Sequence, residues 1–524
     1  MLVAGCPGGG GGGGSVSNST VSTTANQPAI LTYHNDNART GQNLQESVLT
    51  PANVNAVQFG KLFSLPVDGY IYAQPLYMAD LNIGGQPHNV VFVATEHDSV
   101  FAFDADTSGA APLWHASFIN PAAGVTTIDS IADTGCSDLV PEIGITGTPV
   151  IDPAAGRLYV VAKTKENGVS VQRIHALDIT TGVEALAPVE IQATVKGSGD
   201  GSDANGNVSF DPLQENQRAA LLMSKGVLYV AFASHCDSNP YHGWVLAYDA
   251  STLNLVSAFN ATPNGGMGGI WQSGGGPAAD ASGDVYVITG NGTFDADTGG
   301  SDFGDSFLKL TSGTSTLSDY FTPYNQAALA AADTDLGSGG PLLLPDQAVG
   351  LPHLMVSAGK EGTIYVLNRE SMGQFQAGSD SQIVQSLPGA LGSLFSTPAY
   401  FANTIYFGAA NDTLKAYMLN SGQLALSAQS STTFGFPGVT PVISANGVND
   451  AIVWVLQTDQ YASNGPAVLH AYSAADVSVE LYNSSQKPAR DNPGPAIKFT
   501  VPTVVNGKVF VGTQNQLAVF GLLP

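Results

Sequence analysis

The chain carries short runs of β-branched and aromatic residues that are separated by Gly, Asn and Asp. Examples are Val-Val-Phe-Val at residues 90–93, Leu-Tyr-Val-Val at 158–161 and Val-Leu-Tyr-Val at 227–230. β-Branched and aromatic residues favour strands, whereas Gly, Asn and Asp favour the turns that connect strands. The pattern therefore predicts many short antiparallel strands joined by turns.

A three-residue signature, made of a small residue, an apolar residue and Asp, recurs next to these runs. Clear copies stand at residues 102–104, 176–178 and 247–249, and weaker copies begin at 309, 366, 416, 471 and 518. The eight copies are about 59 residues apart on average. Many short strands in a repeat of this size indicate a β-propeller of four-stranded antiparallel blades.

The repeat predicts an all-β fold in which residues 55–524 form one eight-bladed propeller. Residues 59–66 are a candidate for the strand that closes the ring with the last blade. A seven-bladed propeller is the main alternative. Residues 28–54 are expected to be a lead-in segment that precedes the propeller.

The charge balance excludes some classes of partner. The chain has 17 Lys and Arg against 42 Asp and Glu, which gives a formal net charge of −25. Nucleic-acid binding needs clustered cations for the phosphates, so we expect no nucleic-acid partner. No apolar run approaches the ~20 residues that a membrane-spanning helix needs.

The N-terminal segment carries information about location. Val-Ala-Gly-Cys at residues 3–6 resembles a bacterial lipobox, and a run of glycines follows at residues 8–14. We expect a lipid anchor on Cys6, a disordered tether over residues 1–27, and a location in the bacterial cell envelope, periplasmic or surface-exposed. The alternative is a chance match.

Two cysteines remain once Cys6 is set aside. Cys136 and Cys236 are 100 residues apart and are available for a disulfide in an oxidising compartment. The alternative is a pair of free buried thiols.

Several segments together resemble a known family. The first blade contains an extended signature in which Asp104 is followed by Thr107, Gly109 and Trp114, and residues 36–41 read Asp-Asn-Ala-Arg-Thr-Gly. These motifs resemble those of the pyrroloquinoline quinone (PQQ) dehydrogenases, the eight-bladed quinoproteins that oxidise alcohols, and the related bacterial PQQ-like propeller lipoproteins. The resemblance extends over nearly all of residues 33–524.

The resemblance implies a cofactor platform and an amide ligand. Trp271, within residues 269–276, stands where the family places the tryptophan beneath the quinone. Asn291, within Thr-Gly-Asn-Gly at residues 289–292, stands where the family has the asparagine that ligates calcium. Read without the family, the two segments are a buried tryptophan and a common turn.

The resemblance also implies a catalytic pair. Asp335 occupies the position of the family's catalytic base, with Asp333 as the alternative, and Lys360 occupies that of the cation beside a quinone oxygen. Asp237 stands near the family's glutamate calcium ligand. The implied metal ligands are therefore Asp237, Asn291 and Asp335, and the implied cofactors are PQQ and calcium.

Three departures count against cofactor binding. The adjacent cysteines that cover the quinone in the family are Cys136 and Ser137 here, and Glu142 stands near the position of an arginine that pairs with a PQQ carboxylate. The His-Asp after Thr-Pro in the family is Tyr324 and Asn325 here. We expect a Cys136–Cys236 bridge over the shaft instead of the adjacent disulfide.

Three functions therefore remain open. The first is a PQQ- and calcium-dependent oxidoreductase that acts on an alcohol or a sugar. The second is a propeller without cofactor that acts as a binding or assembly scaffold in the cell envelope. The third is an enzyme of other chemistry in the same shaft, such as a glycan lyase or hydrolase.

Overall fold

The computed structural model describes residues 28–109 and 111–524. Within them, eight antiparallel four-stranded units follow one another along the chain. The prediction of an all-β, eight-bladed propeller is confirmed, and the seven-bladed alternative is wrong. The tether over residues 1–27 and the lipidation of Cys6 lie outside the described residues.

The first strand of each blade lines the central shaft and is called the inner strand. Blade 1 consists of Leu76–Ile83, Gln86–Thr95, Ser99–Asp104 and Trp114–Ser117. Blade 2 consists of Val150–Asp152, Arg157–Glu166, Val169–Asp178 and Val189–Glu190. Blade 3 consists of Leu222–Ser224, Val227–Ser234, Trp244–Asp249 and Leu255–Asn260. Blade 4 consists of Ala278–Ala279, Val285–Ile288, Phe307–Leu310 and Leu317–Thr322.

The second half of the ring repeats this order. Blade 5 consists of Leu342–Leu343, Leu354–Ala358, Ile364–Asn368 and Gln385–Leu387. Blade 6 consists of Ala399–Phe401, Thr404–Gly408, Asp412–Asn420 and Gln423–Phe434. Blade 7 consists of Val442–Asn446, Asn449–Gln457, Val468–Ser473 and Asp476–Asn483. Blade 8 consists of Thr503–Val505, Lys508–Gly512, Gln516–Leu522 and Phe59–Pro66.

The ring is closed by its earliest long strand. Phe59–Pro66 pairs antiparallel with Gln516–Leu522, and Phe59 stands opposite Leu522. The predicted closing strand is therefore confirmed. This pairing gives blade 8 four strands from both parts of the chain, so that the ring has no gap between its last blade and its first.

Eight hydrophobic clusters fill the spaces between successive blades. Trp244 lies in the cluster between blades 2 and 3, Trp454 in that between blades 7 and 8, and both are completely buried. Truncation of a buried tryptophan to alanine typically costs ~3–5 kcal/mol. The apolar core is thus distributed around the ring, and the shaft itself is left for polar groups.

Further short elements extend the blades or connect them. The additional strands are Ala29–Ile30, Gln42–Asn43, Val125–Asp129, Glu142–Ile143, Thr194–Lys196, Asn207–Ser209, Glu215–Asn216 and Gln374–Phe375. The α-helices are Ser130–Thr134, Gln326–Ala331 and Pro488–Asp491. The 3-10 helices are Pro121–Ala123, Gln272–Gly274, Ala296–Thr298, Leu336–Ser338, Tyr461–Ser463 and Ser484–Gln486. In the part of the chain that the structure describes, no helix has the length and apolarity needed to cross a membrane.

The segment before the closing strand runs through the shaft, and residues 28–46 are called the plug. Its main-chain oxygens accept hydrogen bonds from five inner strands, through the amides of Ile151, Ala279, Leu343, Tyr400 and Ile443. Ala29–Ile30 pairs with the inner strand of blade 1, and the Asn43 amide donates to Val504 in blade 8. In blade 3, the Asn37 amide donates to the Met223 oxygen. The plug therefore satisfies strand edges of all eight blades that would otherwise face the shaft unpaired.

Arg39 of the plug is completely buried. Its guanidinium donates to the main-chain oxygens of Tyr33, Leu221 and Pro277 at 2.8, 3.1 and 2.9 Å, and to the Thr32 hydroxyl at 2.8 Å. Burial lowers the pKa of Arg39 to about 10, so the group remains charged at neutral pH. One cation thus joins the plug to the blade 3 and blade 4 segments around it.

Candidate functional site

A cavity of about 160 Å³ lies at the end of the shaft where the inner strands begin, called the open end. Most of its wall comes from residues that precede inner strands, whereas the plug pairs within those strands and lies deeper in the shaft. Of the predicted site residues, Asp237, Trp271, Asp335 and Lys360 line the cavity. Asn291 does not line the cavity itself, but it hydrogen-bonds to Asp335, which does. These residues come from segments far apart in the chain, and the fold brings them together at one cavity.

Asp335 and Lys360 form an ion pair in the cavity wall. The Lys360 Nζ lies 2.5 Å from Asp335 Oδ2 and 3.0 Å from Asp333 Oδ1. Asp335 is 5% exposed, whereas Asp333 is exposed, which favours Asp335 as the enclosed carboxylate. Burial alone would lower the pKa of Lys360, but the two carboxylates raise it, so the ammonium is charged.

Asn291 and a glycine hold the Asp335 carboxylate in place. The Asn291 amide N–H donates to Asp335 Oδ1 at 2.8 Å, and its side-chain Nδ2 donates to Asp333 Oδ1 at 2.9 Å. A Cβ on Gly290 would lie 2.4 Å from Asp335 Oδ1 and 3.1 Å from Trp271 Cδ1. Only glycine permits this close approach, so the glycines around Asn291 serve the site and not merely a turn.

Two polar atoms of the site residues expected from the sequence are buried without a hydrogen-bond partner among the described residues. They are Trp271 Nε1 and Asn291 Oδ1. Buried polar atoms are normally paired, and unpaired ones are expected where a ligand or an ion binds. Trp271 also offers a flat apolar surface in the cavity wall, which suits a planar ligand.

A disulfide joins two loops at the open end. Cys136 and Cys236 are bonded, with their Cα atoms 5.6 Å apart, as the sequence analysis expected. The adjacent Asp138 and Asp237 both line the cavity. Asp237 accepts a hydrogen bond from the Tyr241 hydroxyl at 2.7 Å, and burial raises the pKa of its carboxyl. The bridge thus holds two acidic side chains from different blades at the mouth.

The donor set around Asn291 fits a calcium ion in its chemistry. Calcium prefers carboxylate and amide oxygens, which Asp237, Asn291 and Asp335 supply. The Asn291 oxygen is free to ligate, while Asp335 already accepts from Lys360 and Asn291. The platform of Trp271 and the Lys360 ammonium likewise fit a planar anionic quinone.

The wall opposite these residues was missed in the sequence. Arg218, Lys498, Phe395, Phe436 and Phe499 line the same cavity. They belong to loops that precede inner strands and carry no motif. The only signal in the sequence is the scarcity of Lys and Arg, which makes each buried cation notable.

Glu142, which stands where the family has an arginine, does not face the cavity. Its carboxylate pairs with His97 at 2.9 Å and accepts from the Thr127 hydroxyl at 2.8 Å. Its position in the sequence suggested that Glu142 would repel an anionic ligand. Because the carboxylate does not line the cavity, the geometry does not support that repulsion. Arg218 and Lys498 supply cations in the cavity from elsewhere in the chain.

Comparisons with known proteins agree with this fold. No protein-family model matches the chain, and no curated protein does. Among solved structures, the quinohemoprotein alcohol dehydrogenase from Comamonas testosteroni matches with a TM-score of 0.62 at 14% identity, over 94% of this chain and 80% of that one. A europium-containing methanol dehydrogenase matches with a TM-score of 0.62 at 15% identity, over 94% and 98%.

A propeller that carries a different name also matches. BamB from Moraxella catarrhalis gives a TM-score of 0.50 at 13% identity, over 88% of this chain and 97% of that one. At such identities the likeness establishes the fold and not the activity. The chain is thus an eight-bladed propeller with the fold of the PQQ-dependent alcohol and methanol dehydrogenases.

Proposed function

We propose that the cavity at the open end binds PQQ with calcium and that the protein oxidises an alcohol or a sugar. The observation that carries the proposal is the convergence of Trp271, Asp335 and Lys360 on one cavity, from three separate segments of the chain. In the resembling family these positions hold the cofactor and the reacting alcohol. Asn291 supports the proposal because its buried oxygen lacks a partner.

Bound PQQ would supply the two-electron acceptor for the conversion of an alcohol to a carbonyl compound. Trp271 would support one face of the ring system. Asp237, Asn291 and Asp335 would provide oxygen ligands to calcium. These four residues would therefore hold the quinone and the calcium ion.

The side chains around the alcohol have separable tasks. Asp335 accepts the hydroxyl proton as a general base at Oδ2 or Oδ1. Lys360 pairs with that carboxylate and places a positive charge where an oxygen becomes negative. Electrons must then pass to another molecule, because the sequence contains no Cys-x-x-Cys-His haem motif.

The test is reconstitution of the purified protein with PQQ and calcium, followed by absorbance spectroscopy and by dye reduction with a panel of alcohols and sugars. We expect saturable PQQ binding, and we expect Asp335→Asn to lower turnover by about 10²-fold or more while PQQ still binds. Asp203→Asn, an exposed aspartate in a surface hairpin, is the matched control. Absence of PQQ binding to the wild-type protein would remove the proposal.

The second candidate is a cofactor-free scaffold in the cell envelope. It is favoured by the loss of the adjacent cysteine pair that covers the quinone in the resembling family. The lipid anchor at Cys6 belongs to both candidates and remains a proposal. Mass spectrometry of the native protein tests it: an acylated Cys6 supports the anchor, and an unmodified Cys6 contradicts it.

A further inference from the structure

Arg218 is buried in the cavity wall without a protein acceptor. It is 5% exposed, and its guanidinium makes no side-chain hydrogen bond to any described residue. No carboxylate of residues 28–109 or 111–524 lies within 4.0 Å of it. Its contacts are instead the rings of Tyr72 and Phe499, whose centroids lie 5.7 and 4.9 Å from the guanidinium carbon.

Such an arrangement is costly for the protein alone. A guanidinium has five N–H donors in a planar fork, and a buried charge is normally paired and hydrogen-bonded. Cation–π contacts with two rings recover only part of the lost hydration. The donors of Arg218 are therefore positioned for an acceptor that the protein does not provide.

Lys498 places a second cation on the same aromatic ring. Its Nζ lies 5.5 Å from the centroid of Phe499 and 5.6 Å from that of Tyr461, and the residue is 9% exposed. The nearest carboxylate is the exposed Asp138 at 3.7 Å. Two like charges thus share Phe499 inside one cavity, and the exposed Asp138 is paired, among the described residues, only with Lys498.

An apolar surface continues from these cations. Phe395, Phe436 and Phe499 form a cluster in which ring centroids are 5.1 to 6.4 Å apart. All three line the cavity, and Phe436 is exposed. Phe499 itself has a left-handed backbone with φ of 69°, an uncommon conformation for a non-glycine residue. The cavity therefore presents cations at one place and aromatic faces next to them.

We propose that Arg218 and Lys498 form a subsite for a carboxylate that is carried on an aromatic or other flat apolar body. The planar guanidinium fork matches the two oxygens of a carboxylate, and Lys498 adds a point charge. The three phenylalanines cover the apolar body. The carboxylate comes either from an acidic alcohol substrate or from the quinone, and in both cases the subsite rests on the proposed function of the cavity.

Binding to the cofactor-free full-length protein tests the subsite first. The probes are 4-(hydroxymethyl)benzoate and benzyl alcohol, which differ only in the carboxylate, and binding is measured by titration calorimetry. If the carboxylate belongs to the substrate, the acid binds about 10-fold or more tightly than the alcohol, and Arg218→Met removes that difference. Lys498→Met lowers acid affinity to a smaller extent.

The matched control is Lys196→Met, because Lys196 is an exposed cation on a surface hairpin. It leaves acid affinity within about 2-fold, as expected for screened surface charges. Thermal unfolding of each variant shows whether it is folded, and Arg218→Lys keeps the charge while removing the fork.

A second arm identifies the source of the carboxylate. PQQ is titrated with calcium into the wild-type, Arg218→Met and Lys196→Met proteins. If Arg218→Met weakens PQQ binding and the benzoate does not bind, the subsite takes a cofactor carboxylate. If the benzoate binds through Arg218 while PQQ does not bind at all, the subsite stands and the proposed dehydrogenase fails. The subsite is overturned if the acid and the alcohol bind with equal affinity and Arg218→Met leaves the affinity for PQQ unchanged.

Discussion

The plug and the cavity at the open end each contain a buried arginine, and the two arginines have opposite surroundings. Arg39 in the plug donates to five oxygen acceptors of the protein, whereas the Arg218 guanidinium in the cavity wall has none among the described residues. A buried charge with complete hydrogen bonds indicates a structural role. A buried charge without them indicates a group that is positioned for a ligand.

Buried acids show the same difference. Glu46 in the plug accepts three backbone hydrogen bonds, from Val48, Leu49 and Gly507. Glu96, near Arg218, has one oxygen that is buried without a partner. Arg39 and Glu46 of the plug thus find their partners within the protein, whereas the cavity keeps unsatisfied polar groups around it.

The largest expected effect is that of Arg39→Met. The substitution leaves the acceptors on Thr32, Tyr33, Leu221 and Pro277 without their donor, and it disconnects the plug from blades 3 and 4. We expect the free energy of unfolding to fall by roughly 3–5 kcal/mol in urea titrations. A loss below 1 kcal/mol would contradict the structural role of this arginine.

The second largest expected effect is that of removing the disulfide at the open end. Its replacement in the double variant Cys136→Ser, Cys236→Ser removes a link between residues 100 positions apart. We expect a loss of about 3 kcal/mol in the free energy of unfolding, together with weaker ligand binding because Asp138 and Asp237 are no longer held at the mouth. Thermal unfolding and PQQ titration of oxidised and reduced wild-type protein provide the comparison. Unchanged stability on reduction would contradict this expectation.

The buried acids predict a pH dependence of stability. Burial raises the pKa of Glu96 to about 7 and that of Asp305, which lies behind Asp335, to about 8. Because the folded state retains these protons more strongly than the unfolded chain, their contribution is fully present below about pH 4 and is lost as the pH rises through 7 to 8. We expect the free energy of unfolding of the wild-type protein to fall by at least about 2 kcal/mol more between pH 5 and 9 than that of the Glu96→Gln, Asp305→Asn variant. Identical profiles would show that these carboxyls are not neutral in the fold.

The smallest expected effect on stability is that of Arg218→Met. The substitution removes a buried charge that has no hydrogen bond and also removes two cation–π contacts, so the two changes oppose each other. We expect a change of no more than about 1 kcal/mol in the free energy of unfolding of the ligand-free protein. A loss as large as that of Arg39→Met would contradict the distinction between the arginine of the plug and the arginine of the cavity.

The sequence predicted the ring better than the shaft. The repeated small-apolar-Asp signature marks the third strand of most blades. That strand packs on both faces and then enters a turn, so the same residue types recur in each blade. Asp335 and Lys360 were found because they stand within motifs of the resembling family. Arg218, Lys498 and Phe499 were missed because their roles arise only when two loops far apart in the chain meet. The course of the plug was also missed, since its backbone hydrogen bonds leave no side-chain pattern.

The pairing of Phe59–Pro66 with Gln516–Leu522 also sets an order in time during synthesis. The two strands are separated by about 460 residues, so at ~5–20 residues per second the first waits tens of seconds for its partner. Through that interval the plug also lacks most of the blades that hold it. The ring therefore closes only after the ribosome has made residue 522, and the nascent chain carries open strand edges until then. Whatever protects those edges in the cell must therefore act on the growing chain from the synthesis of Phe59–Pro66 until that of Gln516–Leu522.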